Sequence, residues 1–169
     1  MKENNDLLLV IDMQEGFRFD NVTNLTSAIS RSCEHFTGRV MFACFKNEKG
    51  SRFERELGWR NFQSPADQEV LEELRHLEFD CLWHSGLGIL NESFQDYYRI
   101  EGVEKVFVAG VYLDVSVIKF CMDCFDSDIH CKILSDCVTA QSSINDDRYL
   151  ASLSRVIGDS NIISSSDLV

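Results

Sequence analysis

Asp12, His84 and Ser116 each follow a short apolar run, and together they have the residue types of a hydrolytic triad. A serine hydroxyl attacks an acyl carbon only if a base takes its proton. A histidine can take it, and a carboxylate can orient the histidine. Ser116 lies in LDVSVIKFCMDCF, where Asp114 is suited to open a helix by accepting first-turn amide hydrogens. A hydroxyl in that turn stands among unpaired amides at the positive end of the helix dipole, a place for a nucleophile or an oxyanion. The structural alternative makes His84 a turn residue, Asp12 a strand-end acid and Ser116 a helix-start hydroxyl.

Other side chains compete for chemical roles. Phe17, Trp59 and Trp83 stand near expected strand ends and could line a pocket, as aromatics in an ordinary core also would. Lys46 and Lys49 follow the second strand; they could reach a site there or remain solvated loop residues. Cys121 and Cys124 are one helical turn apart. A metal or redox role for them would need a second pair or an exposed helix start, so they read as small buried apolar residues. Cys44, Cys81, Cys131 and Cys137 lie in or just after strands and read the same way.

The elements that must position these residues come from the apolar pattern. Leu7–Ile11 and residues 106–109 are uninterrupted apolar runs, which suit strands covered on both faces. Further strands are expected over 40–45, 79–83, 129–134 and 161–163. Helical spacing predicts helices over 24–36, 65–76, 90–99 and 146–157, with another starting near Asp114. Pro65 stands where its missing amide does no harm to a helix. Residues 51–63, with Phe53, Trp59 and Phe62, read as an excursion over the sheet edge, either a lid or a subunit contact. Strands alternating with helices point to an open parallel sheet with helices on both faces, in one domain over 1–169. Ligands of such sheets bind beyond the carboxyl ends of the strands, at the switch in strand order. That rule selects Asp12, Trp83, His84 and the 110–116 turn.

Composition narrows the classes of function. The chain has 169 residues, 44% hydrophobic and 26% charged, which fits a globular domain with a sizeable core. A net charge of −12 disfavours nucleic acid and anionic membrane as partners. No apolar run is long enough to span a bilayer, and MKENNDLLLVIDMQ lacks a secretory layout. Seven cysteines, an odd count, read as reduced thiols in a cytoplasm.

LLLVIDMQEGF resembles the opening of the isochorismatase-like cysteine hydrolases, a group that includes isochorismatases, nicotinamidases and N-carbamoyl amidases. VFVAGVYLDVSVIKFCMDCFD is similar to that family's second signature, a glycine turn followed by Thr-Asp-x-Cys and a helix, and SDCVTA to the end of the next strand. The resemblance covers nearly the whole chain. It implies a three-layer α/β/α domain on a six-stranded, mostly parallel sheet, an oligomer, and a small amide, carbamoyl or vinyl-ether substrate. It also implies a cis peptide after the fourth strand, at Val111-Tyr112, which shapes an oxyanion site involving Tyr112 and Ser116. The family's triad is an aspartate base, a charge-stabilising lysine and a nucleophilic cysteine. Asp12 matches the aspartate. Leu113 replaces the threonine, Ser116 falls on the cysteine, and CLWHSG stands where the lysine belongs.

At neutral pH an ordinary histidine is mostly uncharged, so His84 is not expected to replace the lysine. No metal or other cofactor is expected, because RNFQSPADQ lacks the histidines of the nicotinamidase metal site. Two function classes follow. One is a family hydrolase working without the usual triad, by Asp12, His84 and Ser116; the other is a non-catalytic member kept for binding or assembly.

Overall fold

The computed structural model describes residues 4–20 and 22–168. Six strands form the sheet: β1 (Leu7–Ile11), β2 (Arg39–Phe45), β3 (Asp80–His84), β4 (Val106–Val111), β5 (Cys131–Thr139) and β6 (Ile162–Ile163). Their order is β3-β2-β1-β4-β5-β6, and every pairing is parallel. The architecture is a three-layer α/β/α fold. All residues of β1 and β4 are buried, the consequence of apolar runs that face helices on both sides. Leu7, Leu9 and Ile11 join one core with Phe94, Phe120 and Leu153, which come from the helices α4 (Glu92–Ile100), α5 (Ile118–Asp126) and α6 (Asp146–Ile157). Leu8 and Val10 face the other core, with Leu25 and Ile29 of α1 (Val22–His35).

Strand order reverses between β1 and β4, so a crevice opens beyond their carboxyl ends. The two strands approach closely there. A Cβ on Gly110 would lie 2.1 Å from the Ile11 carbonyl oxygen, and Gly110 has φ +112°. Only glycine fits both the space and the dihedral.

Several elements depart from the sequence expectation. Residues 65–76 are not one helix. The short helix α2 (Arg52–Leu57) is followed by α3 (Pro65–Gln68), an extended stretch and a 3-10 turn at Glu72–Leu74. The extended stretch forms when Val70 bridges Gln14, with Leu71 N–H donating to Met13 O at 2.9 Å and Glu15 N–H to Glu69 O at 2.8 Å. Strand β5 runs past Ser135 and Asp136 to Thr139, through a register shift opposite Val108 and Gly110. The 51–63 excursion turns its aromatics inward. Phe62 is fully buried with its ring tilted against that of Phe17 at 4.1 Å, and Trp59 lies 5.7 Å from Phe45. The aromatics expected to be exposed there are therefore packed largely within the chain, while Leu57 of the same segment stays exposed. Cys81 is exposed, unlike the other six cysteines, because it lies on the edge strand. Among the described residues, no helix is long and apolar enough to cross a membrane.

Candidate active site

Asp12 is the first residue beyond β1. Its φ of +55° lies in the left-handed region, which aspartate adopts more readily than bulkier residues. Two backbone hydrogen bonds hold it there, from Asp12 N–H to Ala43 O at 2.9 Å and from Gln14 N–H to Asp12 O at 2.8 Å. The Gln14 side chain locks the loop that follows. Its Oε1 accepts from Phe45 N–H at 2.6 Å, and its Nε2 donates to Phe45 O and Gln68 O at 2.9 Å each. Gln14 is fully buried, so these bonds answer its polar groups without water. Sequence reasoning passed over this residue; a polar side chain directly after a buried run was the available signal.

His84 is the last residue of β3, not part of the turn. Alternation along the strand sends Leu82 and His84 inward and Cys81 and Trp83 outward. Trp83, expected at the pocket, is instead 49% exposed and lines no part of it. Two strands away from β1, His84 reaches Asp12 beneath the crevice, with Nε2 2.7 Å from Oδ1. Its Nδ1 lies 2.9 Å from the Gly86 carbonyl oxygen. The Gly86 oxygen only accepts, so Nδ1 carries a proton. The proton between Nε2 and Oδ1 then makes the pair an imidazolium with a carboxylate, or a neutral histidine with a carboxylic acid.

Burial alone would push the imidazole down. The hydrogen bond and negative charge of Asp12, with the Gly86 carbonyl, outweigh burial and raise it above the ordinary histidine value. His84 is therefore protonated more readily than a free histidine would be. Both ring nitrogens are engaged, with Asp12 and the Gly86 carbonyl, and His84 is not among the residues that line the cavity.

Ser116 reaches the crevice from the other side. After β4 the Val111-Tyr112 peptide is cis. A π turn over Leu113–Val117 then leads into α5, with Tyr112 as its N-cap residue and no capping side chain. The amides of Val115 and Val117 both donate to Tyr112 O, at 3.0 and 3.3 Å. This start, two residues earlier than expected, puts Asp114 inside the first turn and not at its cap. The Asp114 Oδ1 is buried with no hydrogen-bond partner. The Tyr112 hydroxyl donates to Phe17 O at 3.0 Å, and the two rings pack edge to face.

Asp12 and Ser116 line the same cavity, of about 480 Å³. Its walls are Phe17, Phe45, Phe53, Leu57, Trp59, Leu87, Tyr112 and Val115, with Gly86, and Gln141 is the remaining polar group. Asp12 is the one acidic or basic side chain in this lining. Lys46 pairs with Glu48 at 2.8 Å on the surface, and neither it nor Lys49 lines the cavity. A larger groove of about 690 Å³ lies on the other side of Tyr112 but does not reach Asp12 or Ser116. Among the described residues, no group of three His, Cys, Asp or Glu side chains is placed to hold a metal ion.

The match to known proteins covers almost the whole chain. Residues 6–164 match the family model described as the Isochorismatase domain. The chain belongs to the isochorismatase family. Its fold is similar to that of an isochorismatase-like hydrolase from Alkaliphilus metalliredigens, with TM-score 0.84, 15% identity and 96% of each chain covered. N-carbamoylsarcosine amidase from Thermoplasma acidophilum gives TM-score 0.81 and 19% identity over 95% of this chain and 96% of that one. The pyrazinamidase/nicotinamidase from Streptococcus mutans gives 0.81 and 16% over 94% and 99%. No match is found among curated protein sequences.

Proposed function

We propose that this family member is a hydrolase of small uncharged molecules and that it works by acid–base chemistry at Asp12, without a covalent cysteine adduct. The observation that carries the proposal is the single carboxylate in an otherwise uncharged, largely apolar cavity, backed by a buried histidine. A substrate with several carboxylates would meet no cation there, whereas a neutral carboxamide would meet aromatic walls and a few polar groups.

For an amide, Asp12 takes a proton from a water molecule as the water oxygen bonds to the carbonyl carbon. The Ser116 hydroxyl and backbone amide hold the oxygen that becomes negative. The carbon–nitrogen bond then breaks, and the proton held by Asp12 passes to the departing nitrogen, giving acid and amine. His84 keeps Asp12 oriented and compensates its charge, the part of the lysine's role that a raised imidazole can fill. The seven cysteines are all free, in keeping with a reducing cytoplasm. Self-association rests on the family resemblance alone.

The second reading is a binding protein. It is favoured by the serine at the nucleophile position with no ring nitrogen free to deprotonate it. Assays on nicotinamide, N-carbamoylsarcosine and isochorismate decide between the two. The proposal expects turnover of the neutral amide, lost in Asp12→Asn and insensitive to thiol reagents. No turnover by the wild type, with activity emerging only in Ser116→Cys, supports the binding reading.

A further inference from the structure

The Asp12 cavity is not closed at its outer end. Phe53, Leu57, Gly86 and Leu87 also wall a second cavity of about 480 Å³, which continues away from Asp12 to Gly88 and Lys119. The shared rim is apolar and uncovered. Leu57 is 73% exposed and Leu87 48%, and Val115 at the same mouth is 42% exposed. Exposure of large apolar side chains around one opening calls for an occupant. The charged residues of the outer cavity do not supply a net charge for recognition. Arg52 and Glu56, of opposite sign, line it together, and Lys119 donates to both oxygens of Asp123 at 2.7 and 2.8 Å. Their methylene stems extend the apolar wall.

We propose that the substrate is an elongated neutral amphiphile. Its polar acyl group reaches Asp12 and Ser116, and an apolar tail of several carbons lies across Leu57 and Leu87 into the outer cavity. This deepens the reading of the Asp12 cavity as the substrate site and rests on it. The continuity of the two cavities argues for one ligand spanning both, in preference to a second copy of the chain covering the mouth.

Gly88 offers a way to block the outer cavity alone. It does not line the inner one, and a Cβ there would meet nothing closer than Lys119 Cε at 3.7 Å. The chain has two tryptophans, so in a Trp83→Phe background the emission of Trp59 reports binding in the inner cavity. The probes are butanamide, hexanamide and octanamide. The expected affinity rises between roughly two- and fourfold per added methylene. Gly88→Leu should weaken octanamide and leave butanamide unchanged, and Gly88→Ala should keep most of the slope. Equal affinity along the series, an equal loss for all three amides in Gly88→Leu, or a dimer in sedimentation that Leu57→Lys dissociates would each overturn the proposal. Because binding is read without turnover, failure of the chemistry at Asp12 would show separately, as rising affinity with no hydrolysis in the wild type.

Discussion

Tyr112 stands between two cavities of opposite character. On one side is the groove of about 690 Å³, rich in polar groups, several of them already committed. Asp146 accepts from Thr139 Oγ1 at 2.7 Å and from Ala140 N–H at 2.8 Å, tying α6 to the end of β5. Asp136 accepts from Ser165, and Arg18 is shared by Glu15 and Glu73. On the other side is the smaller apolar cavity with Asp12, whose one recorded side-chain partner, His84, approaches from behind. The larger opening holds more charge, and Asp136, Asp146 and Arg18 spend theirs in holding loops. The smaller one keeps a carboxylate that faces ligand space. The difference teaches that uncommitted groups mark a reacting site better than volume or polarity.

That contrast predicts unequal responses to removing an acid or its partner. The largest effect is expected from His84→Ala. Leaving Asp12 buried without its partner should cost about 3 kcal/mol of stability, read from urea unfolding. The pH dependence has a definite sign. His84 is raised in the folded state above its ordinary 6.5, so the pair's contribution is complete below that value. It is lost as pH rises through the raised folded value. Wild-type stability should therefore decline above neutral pH relative to the alanine variant.

Asp12→Asn should come next, lowering turnover of a neutral amide by about 100-fold or more. Across Tyr112, Asp146→Ala should destabilise by about 2 kcal/mol, because two donors lose their acceptor, and should leave turnover per folded molecule unchanged. A matching loss of turnover there would erase the distinction between the two cavities. The smallest effect is expected from Ser116→Ala. If the hydroxyl is one of several donors to the developing oxyanion, turnover should fall by about tenfold or less, near the low end for such donors. Complete loss would instead make Ser116 the nucleophile.

The sheet was readable because LLLVI and VFVAGV could only be buried on both faces. Asp12 followed from the end of the first run. Other features were not readable, for reasons that can be named. The strand was expected over 79–83 and lies at Asp80–His84. That one-residue difference turned a buried ligand of Asp12 into a turn residue and brought the exposed Trp83 into an expected pocket. Ser135 and Asp136 interrupt the apolar run of β5, so its continuation to Thr139 was hidden. The helix expected over 65–76 has acceptable local spacing, and tertiary pairing of Val70 with Gln14 broke it. The pairing of His84 with Asp12 was beyond any local pattern, because Asp12 lies 72 residues away in the chain.

The central claim is that His84 and Asp12 form one proton-holding pair at the floor of the apolar cavity. Imidazole nitrogen NMR of His84 tests it most directly, titrated in the wild type and in Asp12→Asn. The account predicts that the wild-type ring stays protonated above pH 6.5. In Asp12→Asn the midpoint should fall below that value, because burial is then opposed only by the Gly86 carbonyl. A wild-type midpoint at or below 6.5, or one unmoved by the substitution, would contradict the pairing on which the proposed chemistry stands.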